Sequence, residues 1–316
     1  MIAVTAAGGD VVVNDKPDPE PGPGEILVRV HGAGLNRADL LQVAGKYPAP
    51  PDAPQDILGM ELAGEVVARG PGVSRFSVGN HVMAIVSGGA QAELCVVPEL
   101  QAMDVPNSID FTHAGGFPEV FTTAHDAIVT RCGLRSGERL LVHGAAGGVG
   151  TAAVQLGAAL GADVTATVRD PSKHDDVAKL GAGTVISPDD FSASAGDLEF
   201  DVILELVGGP NLAGDIDALA EHGRIIVIGV GGGPKGEVSL PKLMGKYGSI
   251  HGSTLRRRSV AEKGATARAL ERQVVPLLAC GDVVVPITES YDMKDAAAAY
   301  ERFAEGGKLG KIVLTY

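Results

Sequence analysis

The chain has 316 residues, 45% of them hydrophobic, which is enough to build cores for about two domains. A formal net charge of −13 repels nucleic-acid phosphates and anionic membrane surfaces, so neither is an expected partner. Cys95, Cys132 and Cys280 are three scattered thiols with no C-x-x-C spacing, which indicates neither a disulfide framework nor a clustered metal site and suits a reducing, cytoplasmic compartment.

The opening segment MIAVTAAGGDVVV lacks the basic region and long apolar core of a secretory signal. Residues 1–112 read as short strands with Pro and Gly punctuation: Ile26–Val30, Leu62–Ala68, His81–Val86 and Leu94–Val97, with Asp18–Glu25 as a stiff connector. From about Phe111 the texture changes to alternating strands and helices. Between Arg139 and Asp170 an apolar run, Leu140–His143, enters a glycine-rich turn, Gly144–Gly150. A helical pattern, Thr151–Leu160, and a second apolar run, Ala162–Val168, follow. The whole stretch is long enough to span a bilayer, but glycines, His143 and Asp163 break it into a strand, a helix and a strand. Strands at Val202–Leu206, Arg224–Ile228 and Ser249–Gly252 extend the pattern into a doubly wound parallel sheet. Val260–Leu278 then reads as one helix, Val283–Ile287 as a strand, Lys294–Ala304 as an alanine-rich helix and Lys311–Thr315 as a closing strand. These last elements do not extend that parallel sheet, so the C-terminus is expected to return to the first domain. The expected division is 1–112 with 260–316 for one domain and 113–259 for the other.

Glycines in such a turn let backbone N–H groups approach a pyrophosphate, and the following helix start adds partial positive charge. Ala145-x-Gly147-x-x-Gly150 is not the full G-x-G-x-x-G, and a glycine turn serving only tight strand–helix packing is the plainer alternative. The flanking strand, helix and strand favour a dinucleotide, with phosphate over Gly147 to Gly150 and with Ala146, Gly147, Gly148 and Val149 as cofactor-binding residues. An acid at the end of the second strand would accept from the ribose 2′-hydroxyl of NAD. Here Arg169 stands there, with Lys173 four residues on, and two cations that face one way at helical spacing suit the 2′-phosphate of NADPH. Solvated surface cations are the plainer reading of that pair, and Asp170 weighs against the phosphate. His31, His81, His125 and the remaining histidines have no acid or nucleophile at useful spacing and read as structural. The run Arg256–Arg258 reads as a solvated or interface-pairing face.

Several motifs in order, GLNRADLLQVAGKYPAPP (34–51), ILGMELAGEV (57–66), HGAAGGVGTAAVQL (143–156), GSTLRRRS (252–259) and GGKLGKIVL (306–314), resemble the zeta-crystallin-like, zinc-independent quinone oxidoreductases of the medium-chain dehydrogenase/reductase superfamily. Within them the chain is most similar to the tumour-suppressor-inducible NADPH:quinone oxidoreductase subfamily. The resemblance implies an α/β fold class: a β-rich GroES-like catalytic domain plus a Rossmann domain with a doubly wound parallel sheet. It also implies a homodimer paired through the last Rossmann strand, near Ser249–Thr254. Zinc-dependent relatives hold a Cys where this chain has Asn36 and a His where it has Met60, and neither an amide nor a thioether is a credible Zn²⁺ ligand.

By the same resemblance Asn36 lies near the nicotinamide ribose, and Tyr47 and Met60 line the substrate mouth. Tyr47 would stack on a flat acceptor or donate its hydroxyl to a carbonyl oxygen, although a tyrosine before proline often only packs its ring. Asp39 reads as a cap or ion-pair partner. Thr123, Val207, Ile228 and Gly229 carry over as nicotinamide-side contacts, and Ser253, Leu255 and Lys311 as weaker ones. Many relatives hold the 2′-phosphate side with a tyrosine where this chain has Ser187, a role that Arg169 would take over. The implied activity is transfer of reducing equivalents from NADPH to quinones or similar conjugated carbonyls. The alternatives are a reductase dedicated to one enone, enoyl thioester or haloacrylate, and an NADPH-binding protein with little turnover.

Overall fold

A computed structural model describes residues 1–316. In chain order the elements are β1 (Ile2–Ala7), β2 (Asp10–Asp15), β3 (Glu25–Gly34), α1 (Arg37–Val43), β4 (Glu61–Arg69), β5 (His81–Ile85), β6 (Leu94–Pro98), β7 (Ala102–Asp104), α2 (Phe111–Gly115) and α3 (Pro118–His125). There follow β8 (Arg139–Val142), α4 (Gly148–Ala159), β9 (Asp163–Thr167), α5 (His174–Lys179), β10 (Thr184–Ile186), α6 (Pro188–Ser194), β11 (Phe200–Glu205), α7 (Leu212–Asp217), β12 (Leu219–Val227), α8 (Leu240–Gly245) and β13 (Ser249–Gly252). The chain closes with α9 (Val260–Gln273), α10 (Val275–Cys280), β14 (Ile287–Asp292), α11 (Ala296–Glu305) and β15 (Lys311–Thr315). Two compact units result, Met1–Thr122 with Leu255–Tyr316, and Thr123–Thr254.

The first unit is built on β3, which pairs antiparallel with β4, β6 and β15, while β5, β7 and β14 complete a seven-stranded sheet. Its alternation explains the pairing: Ile26, Val28 and Val30 turn into the core, and Glu25, Leu27 and Arg29 turn away. This is the GroES-like part of the fold. In the second unit six strands run parallel in the order β10-β9-β8-β11-β12-β13, the Rossmann order. Leu140, Leu141 and Val142 of β8 and Val202, Ile203 and Leu204 of β11 are wholly buried. Continuous apolar runs of this kind belong to strands covered on both faces, and each such side chain contributes roughly 1.5–3 kcal/mol by burial. The strand order reverses beside β8, where the turns after β8 and β11 meet: a Cβ added at Gly144 would lie 3.6 Å from a Val207 methyl.

Two sequence expectations need correction. The helix expected over Val260–Leu278 breaks at Val274, where φ is −118°, because Pro276 cannot donate to the preceding turn and its ring clashes with that turn's carbonyl. The strand expected at Val283–Ile287 begins only at Ile287, since Pro286 lacks the N–H that a ladder needs and instead lends its carbonyl to Lys311 N at 2.8 Å. The hairpin β1–β2 and helix α1 went unnoticed in the sequence.

At the turn into α4 the glycines have separate reasons. Gly144 sits at φ +65°, and Gly150 presses its Cα against the turn so closely that a Cβ would lie 2.5 Å from Gly144 O and 2.6 Å from Ala145 Cα. Gly150→Ala should therefore cost about 1–3 kcal/mol through forced backbone shifts, read as a lowered midpoint in thermal or urea unfolding; an unchanged midpoint would show that the turn yields freely.

Candidate functional site

In the second unit, α4 starts at Gly148 with Gly147 as its N-cap in extended conformation and no side chain on its first amides. Ala146, Gly147, Gly148 and Val149 are half-buried, with backbone on the surface of the turn. An α-helix leaves its first N–H groups without intrahelical partners, so this turn offers donors and the positive end of a twelve-residue helix. Past the end of β9, Arg169 is exposed and Lys173 half-exposed, and neither side chain has a hydrogen-bond or ion-pair partner. They do not share one helix as the spacing suggested. Asp170 between them caps a single 3-10 turn, accepting from Ser172 N at 3.0 Å and Ser172 Oγ at 2.8 Å. That duty occupies the carboxylate that weighed against a phosphate. Ser187 caps α6, donating to Asp190 Oδ2 at 2.7 Å and accepting from Asp190 N at 3.1 Å.

The turn after β11 is tied down by a buried carboxylate. Glu205, wholly buried, accepts from Val207 N and Gly208 N with one oxygen and from Asn211 Nδ2 at 3.0 Å with the other. Burial, which outweighs the nearby His143, raises its pKa. Ile228 N and Gly229 N donate to Glu205 O at 2.9 and 3.2 Å, and a Cβ at Gly229 would meet Leu206 O at 2.2 Å. His143 overturns the reading of the histidines as unpaired: its Nε2 lies 2.8 Å from Asp215 Oδ1 and 4.0 Å from Glu205, and its Nδ1 3.0 Å from Thr167 Oγ1. The two partners are 72 and 62 positions away in sequence, outside any local spacing rule. Thr123 is buried on α3, and Ser253 Oγ donates to Asp126 Oδ2 at 3.0 Å.

The first unit concentrates its buried polar groups around α1. Asn36, the N-cap of α1, accepts from Lys311 Nζ at 2.7 Å through Oδ1 and donates to Glu61 Oε1 at 2.9 Å through Nδ2. Lys311 Nζ also reaches Glu61 Oε1 at 2.6 Å and Leu35 O at 2.7 Å, which spends all three ammonium donors inside this unit. Its weaker reading as a cofactor contact gives way to a role of holding Asn36. Glu61 Oε2 accepts from Glu119 N at 2.8 Å. Gly34 allows the pair to lie against the backbone, since a Cβ there would meet Glu61 Oε1 at 2.3 Å. Met60, next to Glu61, is buried, as is Leu255. Tyr47 follows α1; its ring lies 5.2 Å under the Arg256 guanidinium, and its carbonyl accepts from Arg256 at 3.1 Å. Arg256 is buried, against the expectation of a solvated arginine run, because three acceptors fold around it.

Comparison with known proteins agrees with this geometry. The alcohol dehydrogenase GroES-like domain matches residues 22–132, and the zinc-binding dehydrogenase family matches residues 148–271. A quinone oxidoreductase of Pseudomonas aeruginosa is 33% identical over 99% of this chain and 98% of its own. The polyketide synthase GfsB of Streptomyces halstedii is 32% identical over 92% of this chain, which spans only 5% of that much longer protein. A mycobacterial protein solved in complex with NADPH matches at a TM-score of 0.88 and 26% identity, over 100% of both chains. The two units and their turns define an oxidoreductase fold that binds a nicotinamide cofactor. The chain belongs to the medium-chain dehydrogenase/reductase superfamily, alongside its quinone oxidoreductases.

Asp39 is the titratable group that α1 depends on. Its Oδ2 accepts from Asn36 N at 2.8 Å, its Oδ1 has no partner, and burial pushes its pKa from 3.8 to about 7 against the pull of that N–H and of the Lys311 and Arg256 charges. The folded chain thus holds this proton more tightly than the unfolded one. The stability it contributes is complete below pH 3.8 and is lost as pH rises towards 7. Asp39→Asn keeps an acceptor for Asn36 N but does not ionise. Its Tm relative to wild type should rise by about 2 °C or more between pH 5 and pH 8; a difference independent of pH would mean that Asp39 is ionised throughout.

Proposed function

We propose that this protein transfers reducing equivalents from NADPH to quinones or similar conjugated carbonyls, without zinc. The donor set at Asn36 and Met60 carries the zinc-free reading: an amide oxygen held by the Lys311 ammonium, and a buried thioether, fit no Zn²⁺ centre. An acceptor that is already electrophilic needs no Lewis acid.

The turn residues Ala146 to Val149 would cradle the pyrophosphate, and the unpartnered Arg169 and Lys173 would hold the 2′-phosphate. The bound cofactor supplies the hydride. Glu205 keeps the amides of Val207 and Gly208 pointed inward, so that Val207, Ile228 and Gly229 form a fixed wall for the nicotinamide ribose. Asn36, locked between Lys311 and Glu61, presents a fixed amide, and Tyr47 offers a flat ring and a hydroxyl to the acceptor. Thr123 and Ser253 would complete the nicotinamide side, Ser187, the N-cap of α6, would lie on the 2′-phosphate side, and Met60 and Leu255 would supply apolar walls.

The match to a polyketide synthase favours a second reading, a reductase dedicated to one enone or enoyl thioester. A panel of 1,4-benzoquinone, 9,10-phenanthrenequinone and an enone separates the two, with NADPH oxidation as the readout. Quinone turnover supports the first reading, and enone turnover alone the second.

Replacing Arg169 by Asp removes a charge-assisted contact and adds repulsion. The Kd for NADPH should rise about ten- to a hundredfold, with little change for NADH. Fluorescence titration checks this, and equal losses for both cofactors would sink the assignment of Arg169 to the 2′-phosphate.

The chain is also proposed to act in the cytoplasm as a homodimer. β13 pairs only with β12, and Leu240, Met244 and Tyr247 beside it are 64%, 73% and 67% exposed. Light scattering should give twice the chain mass, falling to the monomer for the double variant Met244→Glu, Tyr247→Glu.

A further inference from the structure

Two cations of the first unit are buried without a counter-charge. Arg256 and Lys263 are only 4% and 3% exposed. The Arg256 guanidinium donates to neutral oxygens alone: Ser87 O at 2.8 Å, Tyr47 O at 3.1 Å and Gln42 Oε1. Lys263 Nζ donates to Ser87 Oγ, whose own hydroxyl donates to Arg256 O at 3.2 Å. No carboxylate makes an ion pair with either one. The acidic side chains whose field reaches them are Asp39 and Tyr47 for Arg256 and the exposed Asp52 for Lys263. Burial accordingly lowers the pKa of both cations.

Burying cations unanswered is expensive, and a protein retains such an arrangement where something else supplies the negative charge. Donors remain to receive it. Of the five N–H groups of a guanidinium and the three of an ammonium, these contacts spend three and one. Both side chains converge on Ser87, and the adjoining Gly88 packs closely there, since a Cβ on it would stand 3.1 Å from Pro54 O and 3.8 Å from a guanidinium nitrogen. The cluster also lies at one end of the candidate site. Gln42 is on α1, six residues from its N-cap Asn36 and thus about 9 Å along the helix, and Tyr47 bears the guanidinium over its ring.

We propose that Arg256 and Lys263 receive an oxyanion, a carboxylate or a phosphate, carried by the acceptor that this protein reduces. The proposal rests on the reductase reading above and narrows its substrates to anionic conjugated acceptors. An acceptor of this class places its charged group beside Ser87 and its conjugated system towards Asn36.

Calorimetric titration of the full chain with benzoate, phenyl phosphate and the neutral benzamide tests it without turnover. At least one of the two anions should bind wild type, the tighter one naming the group, and benzamide should not. Lys263→Met, which removes a buried charge and should fold at an unchanged or higher Tm, should weaken that binding about tenfold or more, and Arg256→Lys should also weaken it. A kinetic arm compares a benzoquinone carboxylate with its methyl ester. The acid should be favoured about tenfold in kcat/KM by wild type, and the ratio should fall to about one in Lys263→Met. If neither anion binds, or Lys263→Met binds them as well as wild type, the anion site is refuted even where both quinones are reduced. If anions bind through Lys263 while acid and ester are both inert, the anion site stands and the quinone reading falls.

Discussion

A carboxylate withdrawn from water must be answered by donors, and Glu61 is answered by Lys311, Asn36 and the amide of Glu119. Those four residues come from four distant segments. The ion pair therefore joins the last strand, the start of α1, the start of β4 and α3 at one point. Removing either charged partner would leave the other buried and uncompensated, which typically costs 3–5 kcal/mol. The consequence for function is geometric. Asn36 has both ends of its amide engaged, so it is presented in one orientation instead of sampling several rotamers. The same constraint explains Gly34, whose missing Cβ is the space the pair occupies.

The second unit solves a parallel problem with the opposite polarity. Its strands are apolar and buried on both faces, so the polar groups at their carboxyl ends decide where the turns go. Glu205 collects two amides and a side-chain amide, and His143 links Asp215 to Thr167, which in turn accepts from Gly144 N at 3.4 Å. A hydrogen-bonded chain thus runs from the glycine turn through Thr167 and His143 to Asp215 on α7. Low dielectric strengthens each bond of such a chain. It fixes the glycine turn, the end of β9 and α7 relative to one another.

Much of the scaffold was legible along the chain. The strands at β3, β4, β6, β8, β9, β13 and β15, the glycine turn and α4 all follow from apolar runs of strand length bounded by Gly and Pro. Boundaries failed where proline acts against the local pattern, at Pro276 and Pro286. Among candidate residues, Asn36, Tyr47, Met60 and the glycine turn were proposed from motif and resemblance. Glu205, Asp215 and Lys263 were not. Each is a single polar residue within an otherwise ordinary element: Asp215 and Lys263 matter through neighbours 72 and 176 positions away, and Glu205 through a turn whose amides fold back on it only in three dimensions.

Sequence by itself determined the class of fold, because the periods of hydrophobic residues and the spacing of turns are local and each strand or helix must bury its apolar face. It also determined the kinds of groups available: an amide and a thioether where a metal would need a thiolate and an imidazole, and cations at the end of the second nucleotide strand. Tertiary structure alone decided which charges are answered. It put Lys311 on Glu61 and Asn36, paired His143 with Asp215, buried Arg256 and Lys263 without a carboxylate, and assigned Asp170 and Ser187 to capping. The physical reason is that a charged side chain's energy depends on the dielectric and the partners around it, and these exist only once distant segments have packed.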